Sequence, residues 1–404
     1  MAPASTSTSA SNAKDQNQTN KNDDKDYWLR QTHPDLIPTV KSFPKFALTA
    51  TYDSWIKRTL LQLGMSPPGP PIEGVTAKRI PQVGTLYSPS STEHTQTNKD
   101  QTATMERNEA KPTAAILWIH GGGRIVGTSN GVPESFLCSK LVRLLHLPVL
   151  SASYRLAPKH VFPAALDDLK DAYQWLVTYL LLDGKNDKNE PNLGDDANND
   201  YNTNKDDTNS KKCNPIRIIL AGESSGGGLA AELSQRLLDE RSRDARLVSS
   251  KLLPAPAAQI LFYPMLDDRT CVNEEIVRQS PKHWIWNARS NIYAWKSYFG
   301  PKYRPGQEDL PMYASAARRE DMSRLPPAFV VCGTLDIFNG ECRDYVEKLK
   351  EGNVDVEFME VEGAFHGFML QGTVDMMKSG KEGPGIVREV WERIDSFARK
   401  YLYV

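Results

Sequence analysis

Six short runs of near-continuous apolar residues punctuate the chain: Ala114 to Ile119, Val149 to Tyr154, Ile216 to Ala221, Ala257 to Tyr263, Ala328 to Cys332 and Val356 to Val361. Each has strand length and β-branched or aromatic content, and the absence of alternation predicts strands buried on both faces. Helix-period segments fall between most of them, at about Pro133 to Leu145, Ala164 to Leu181, Gly227 to Glu240, Cys342 to Glu351 and Ile386 to Tyr401. Strand followed by helix, repeated, predicts an α/β fold with a doubly wound, mostly parallel sheet.

Three polar stretches interrupt this pattern. Residues 1–26 are rich in Ser, Thr, Asn and Asp and bury too little apolar surface to offset the entropy of ordering, so a disordered tail is expected. Residues 88–112 and 183–214, the latter containing DDANNDYNTNKDDTNSKK, read as inserted surface loops that lengthen connections without starting a new domain. The remainder, 27–404, is expected to be one domain. Leu266 to Leu325 separates two strands by more than a crossover needs and carries Trp284, Trp286, Tyr293, Trp295, Tyr298 and Phe299. With residues 27–82 it is expected to form a helical cap over the carboxyl ends of the strands, where such sheets bind ligands. The plainer reading of most of these aromatics is ordinary core.

The 404 residues contain 49 basic and 50 acidic side chains, so no broad field favours nucleic acid or an anionic membrane. A small uncharged ligand fits better. The five cysteines, Cys138, Cys213, Cys271, Cys332 and Cys342, are odd in number and lack metal-ligand spacing, which predicts free thiols in a reducing, cytoplasmic setting. No apolar h-region opens the chain, and no run reaches the roughly 18 apolar residues of a membrane span. A peripheral lipid contact and a homodimer are left open.

The chemistry concentrates in Gly222-Glu223-Ser224-Ser225-Gly226, which follows a predicted strand and opens a predicted helix. That is the context of a G-x-S-x-G nucleophile elbow, with Ser224 at its tip and glycines where strand and helix approach. Ser225 is the poorer nucleophile, since Glu223 occupies the position two before it. His120-Gly121-Gly122-Gly123 follows the first predicted strand. A glycine run there presents backbone N–H groups to a developing oxyanion, together with the N–H of Ser225, and each such donor is worth about 3 kcal/mol of barrier. A phosphate-binding loop would need a following Lys-Ser/Thr or a G-x-G-x-x-G helix start, and neither is present.

Serine needs a base and an orienting carboxylate, which in this kind of sheet follow it in the order acid, then histidine. Of seven histidines, His366 alone lies beyond the elbow and after the last predicted strand; His283 falls in the expected cap. Asp336, after the strand ending at Cys332, is the leading acid, with an N-capping role as an equal reading. Asp375 and Glu362 are weaker rivals.

These motifs make residues 114 to 400 resemble the hormone-sensitive-lipase-like branch of the α/β hydrolases, a group of esterases and acetyl-hydrolases with an HGGG motif ahead of the elbow. Ser153-Tyr154-Arg155-Leu156-Ala157-Pro158, Phe162-Pro163-Ala164-Ala165 and Asp167-Asp168 look like that family's YRLAPE, FPAA and DD signature, and Leu325-Pro326-Pro327-Ala328, Gly333 to Asp336 and His366-Gly367-Phe368 match its acid and histidine regions. The resemblance implies a Ser224, Asp336, His366 triad, an oxyanion hole from the Gly122, Gly123 and Ser225 amides supported by His120, Gly121 and Glu223, no metal or organic cofactor, and a small-molecule ester as substrate. Two departures stand out: GESSG replaces GDSAG, and Lys159 replaces a common Glu. Glu223 still accepts hydrogen bonds, so a changed supporting network with retained activity is expected.

The expected reaction is two-step acyl transfer on a short-chain or acetyl ester of an apolar alcohol, lipid-, sterol- or metabolite-like. The rival readings are a noncatalytic small-molecule receptor on the same fold, an amidase, lactonase or acyltransferase using the same triad, and an interaction protein working through its Asn/Asp-rich insertions.

Overall fold

A computed structural model describes residues 29–42, positions 51, 53, 54, 57, 59 and 62, and residues 67–90, 113–182, 215–243, 253–279, 283–370 and 383–403. The expected tail, nearly all of both polar insertions, Cys213 and Asp375 lie outside the described residues.

The strands are β1 (Val75–Ile80), β2 (Gly84–Pro89), β3 (Ala114–Ile119), β4 (Val149–Ala152), β5 (Arg217–Glu223), β6 (Ala258–Phe262), β7 (Ala328–Gly333) and β8 (Val356–Val361). The helices are α1 (Ile37–Ser42), α2 (Val132–Leu145), α3 (Ala164–Leu181), α4 (Ser225–Arg243), α5 (Glu274–Gln279), α6 (Ala288–Phe299), α7 (Asn339–Glu351) and α8 (Gly385–Leu402). One 8-stranded sheet runs in the order β1-β2-β4-β3-β5-β6-β7-β8. From β4 to β8 every neighbouring pair is parallel; β2 pairs antiparallel with β1 and with β4. The mostly parallel α/β architecture is therefore the one the apolar runs predict.

Burial explains which strands are legible. β3 (AAILWI), β6 (AQILF) and β7 (AFVVCG) are buried at every position, as strands with helices on both faces must be. α3 turns Leu166, Leu169, Tyr173, Leu176 and Leu180 inward at three- and four-residue spacing. The missed pair is β1 and β2. β1 (VTAKRI) is an edge strand buried only at its ends, so its sequence carries no apolar run, and charged edges of this kind discourage further pairing. Residues 27–82 were expected in a cap; Val75–Ile80 belongs to the sheet instead.

The long interval after β6 contains α5 and α6, and its aromatics divide. Trp286, Trp295 and Tyr298 are buried, whereas Trp284, Tyr293 and Phe299 are half-buried against the core. Cys138, Cys271, Cys332 and Cys342 are buried free thiols, as expected of them. Among the described residues no helix is long and apolar enough to cross a membrane.

The strand order reverses beside β3: the chain moves from β3 outward to β4, then returns to place β5 on the other side. Loops leaving the carboxyl ends of β3 and β5 thus diverge and leave a crevice, the usual ligand position in open α/β sheets. The loop after β3 is the HGGG segment and the turn after β5 is the serine elbow.

Candidate active site

Ser224 occupies the turn between β5 and α4 with φ of 53°. This left-handed conformation strains a residue with a β-carbon and persists where the surroundings hold it. Here Ser224 N–H donates to Phe262 O at 2.8 Å, and Ser224 O accepts from Met265 N–H at 2.9 Å and Gly228 N–H at 3.1 Å. The flanking glycines are sterically required. A β-carbon on Gly222 would lie 2.5 Å from Gly226 O, and one on Gly226 would lie 2.1 Å from Ile119 O.

The parallel strands bring the other candidates to the same edge. His366, on the loop after β8, places Nε2 3.0 Å from Ser224 Oγ. Its Nδ1 lies 2.8 Å from Asp336 Oδ2, from the loop after β7. The carboxylate accepts Nδ1–H, which leaves Nε2 as acceptor for the serine hydroxyl. Asp336 is not the N-cap of α7, which is Phe338; its Oδ1 accepts Phe338 N–H at 2.9 Å in the turn before that helix. Glu362 is exposed on the turn after β8, and Asp336 already holds the Nδ1 side of the imidazole. Ser224, Asp336 and His366 are all buried, at 6%, 4% and 5% exposure, so the chain of hydrogen bonds runs in a low-dielectric pocket.

The glycine run folds over the elbow as a left-handed turn. Gly122, Gly123 and Arg124 have φ of 102°, 63° and 64°, and Gly122 O accepts from both Ile125 N–H and Val126 N–H at 3.1 Å. Gly121 differs in role: its N–H bonds to the Glu223 carboxylate. His120 is buried, and burial pulls its imidazole down to about 4, leaving it neutral. Its Nδ1 donates to Gly121 O at 2.8 Å, while Tyr154 OH donates to His120 O at 2.8 Å and stacks on the ring at 4.2 Å between centroids. Thus His120 braces the loop from behind and does not reach the serine.

Four residues that sequence reasoning did not assign complete the surroundings. Tyr263 OH donates to Glu223 Oε2 at 2.9 Å, and its ring meets His366 edge-on at 5.0 Å. Burial pushes Glu223 up, against the opposing pull of Tyr263 and His366. Trp286 stands 6.3 Å from the His366 ring, and a β-carbon on Gly123 would fall 2.5 Å from its Cη2. Tyr154 and Arg124 support the glycine turn. Tyr154 lies within the YRLAP motif and Trp286 among the aromatics of residues 266–325, but Tyr263 and Arg124 carry no local signal of their contacts, which for Tyr263 come from β5 and the loop after β8 and for Arg124 from α4 and α6. No group of His, Cys, Asp and Glu among the described residues has the arrangement of a metal site.

A sequence profile of the α/β hydrolase fold family matches residues 116–370. The chain is 27% identical over 281 residues to "Ethyl acetate hydrolase" of Pseudomonas putida, spanning 69% of this chain and 73% of that protein. It is 23% identical over 295 residues to "Gibberellin receptor GID1B" of Arabidopsis thaliana, spanning 70% and 68%. Its fold is similar to that of an esterase from the bacterial hormone-sensitive lipase family, with a TM-score of 0.59 at 20% identity, over 92% of this chain and 99% of that one. With the HGGG turn and the GESSG elbow at the switch point of an eight-stranded sheet, the chain belongs to the α/β hydrolase fold family.

Proposed function

We propose that the chain is a serine carboxylic-ester hydrolase that works through an acyl-enzyme. The carrying observation is the continuous relay from Ser224 Oγ to His366 Nε2 at 3.0 Å and from His366 Nδ1 to Asp336 Oδ2 at 2.8 Å. Ser224 Oγ attacks the ester carbonyl while His366 Nε2 takes its proton; the tetrahedral oxyanion is held by the Gly122, Gly123 and Ser225 amides; His366 returns the proton to the departing alcohol. Water then repeats the sequence on the acyl-enzyme and frees the acid. Asp336 fixes the imidazole tautomer and stabilises the imidazolium.

The substrate is a short-chain or acetyl ester of an apolar alcohol. Supporting this, Trp286 stands against both His366 and Gly123, and Trp284 meets Phe365 edge-on at 5.9 Å. In this reading residues 266–325 cap the site. The buried free thiols fit a reducing, cytoplasmic setting.

A noncatalytic receptor is the second reading, favoured by the likeness to a protein named as a gibberellin receptor. The intact relay speaks for catalysis. Hydrolysis of p-nitrophenyl esters from acetate to palmitate, by wild type beside Ser224→Ala and His366→Ala, tests the two. Turnover of short chains with both variants lower by about 10³-fold or more supports the hydrolase. A folded wild type no faster than its variants on every ester overturns it.

A further inference from the structure

The residue that ends the glycine turn is an arginine removed from solvent. Arg124 is 0% exposed, and its Nη2 donates to Glu232 Oε1 at 2.7 Å, in a pair whose side chains are both fully buried. The guanidinium carbon lies 4.4 Å from the centre of the Trp295 ring and 4.2 Å from that of Tyr298. Nε and Nη1 have no hydrogen-bond acceptor among the described residues, so the aromatic faces of α6 are what replaces water around the cation. Glu232 lies two turns into α4, the helix that the elbow opens. Room for the guanidinium comes from Gly228, where a β-carbon would lie 3.1 Å from Nη2.

The backbone of the same residue is tied to the chemistry. Arg124 N–H donates to Ser225 Oγ at 3.1 Å, and Arg124 O accepts from Ala157 N–H at 2.9 Å. Its φ of 64° puts a β-carbon in the left-handed region, which an L-residue adopts only when its surroundings impose it. A buried ion pair is a weak source of stability, because desolvation consumes the attraction. As a geometric constraint it is strong, since a planar fork held between two rings and one carboxylate has a single position.

We propose that Arg124, locked by Glu232 and by the Trp295 and Tyr298 rings, is the positioning residue of the oxyanion turn: it sets where the Gly122 and Gly123 amides point relative to Ser224 and ties them to α4 and α6. The inference rests on the hydrolase reading. Arg124 itself touches no reacting atom. Its loss displaces donors that matter only when the oxyanion forms, so the effect falls on kcat and on the binding of tetrahedral adducts, and spares ground-state binding.

The test compares wild type, Arg124→Lys and the double variant Arg124→Met/Glu232→Met on p-nitrophenyl butyrate, with inhibition by an alkyl trifluoromethyl ketone, whose serine adduct carries the oxyanion. The double variant removes both charges and keeps the volume filled, an exchange that buried pairs commonly tolerate. Its kcat is expected to fall about 100-fold, with the ketone weakened by a similar factor and KM changed by no more than about twofold. Arg124→Lys keeps the charge and loses the fork, with an expected loss of about tenfold and the same split. A folded variant with wild-type kcat, or one that loses kcat while the ketone binds as before, overturns the inference; if the double variant does not fold, the split in Arg124→Lys decides. Ser224→Ala, run alongside, separates the two claims. Turnover that survives it overturns the hydrolase reading, whereas turnover that depends on Ser224 and ignores Arg124 overturns this inference alone.

Discussion

Tyr263 OH donates to Glu223 Oε2 at 2.9 Å while its ring rests edge-on against His366. The carboxylate beside Ser224 and the imidazole hydrogen-bonded to Ser224 therefore share one aromatic support. Glu223 also accepts Gly121 N–H, so its longer side chain, in place of the family's aspartate, spans from the glycine turn to β6. Tyr263→Phe leaves a buried carboxylate oxygen without its donor, which costs about 1–3 kcal/mol. Thermal melts should show that loss. The relay distances are untouched, so kcat on a short ester should fall less than about tenfold. A loss as large as that of His366→Ala would mean that the phenol itself takes part in the chemistry.

Asp336→Asn tests the orienting acid. Asparagine presents an acceptor or a donor to Nδ1 and removes the charge that stabilises the imidazolium, and in a working triad this exchange costs about 10⁴ in kcat. The fold should survive, because the side-chain oxygen still accepts Phe338 N–H. Circular dichroism beside p-nitrophenyl acetate turnover checks both halves. Activity within tenfold of wild type would remove Asp336 from the relay.

The sequence exposed the interior of this fold and hid one of its two edges, for a physical reason. Strands covered on both faces, such as Ala114–Ile119 and Ala328–Gly333, announce themselves as apolar runs, and the edge strand Val356–Val361, only partly buried, stands between clear turns, whereas β1 pairs on one side only and keeps Thr76, Lys78 and Arg79 toward solvent. The site shows the same division. Ser224 and the glycines are legible because backbone strain and close approach restrict them to few residue types. Asp336 and His366 needed chain order and elimination. The contacts of Tyr263 with Glu223, of Arg124 with Glu232 and of Trp286 with Gly123 join residues far apart in sequence, so no local pattern encodes them.

Under the proposed hydrolase reading, Trp286 limits the acyl group of the substrate. Its indole lies against His366 and over Gly123, and Nε1 donates to Asn291 Oδ1 at 3.3 Å, which fixes the ring. Trp286→Leu opens space beside both the base and the oxyanion turn. The optimum in a p-nitrophenyl ester series should move to longer acyl chains, with stability lower by about 1–3 kcal/mol from imperfect refilling. An unchanged chain-length profile in a folded variant would place the acyl pocket elsewhere.

Glu134 gives a prediction about pH and stability that is independent of catalysis. It lies in the first turn of α2, 1% exposed, and neither carboxyl oxygen has a hydrogen-bond partner among the described residues. Burial, and then the nearby Glu223, push it from 4.5 up to about 8. The folded protein thus holds a proton that the unfolded chain releases near 4.5, so between those values the native state binds more protons and stability declines as pH rises. The contribution is whole below pH 4.5 and is gone once pH passes the folded value of about 8. Glu134→Gln keeps the shape of the neutral acid and cannot ionise. Thermal melts at pH 5, 7 and 9 should find the variant close to wild type at pH 5 and progressively more stable than wild type toward pH 9, by an amount of order 1.4 kcal/mol for each unit of the shift. Parallel pH profiles for the two proteins would show that Glu134 ionises in the native state at its ordinary value, and that a partner for its charge exists in solution.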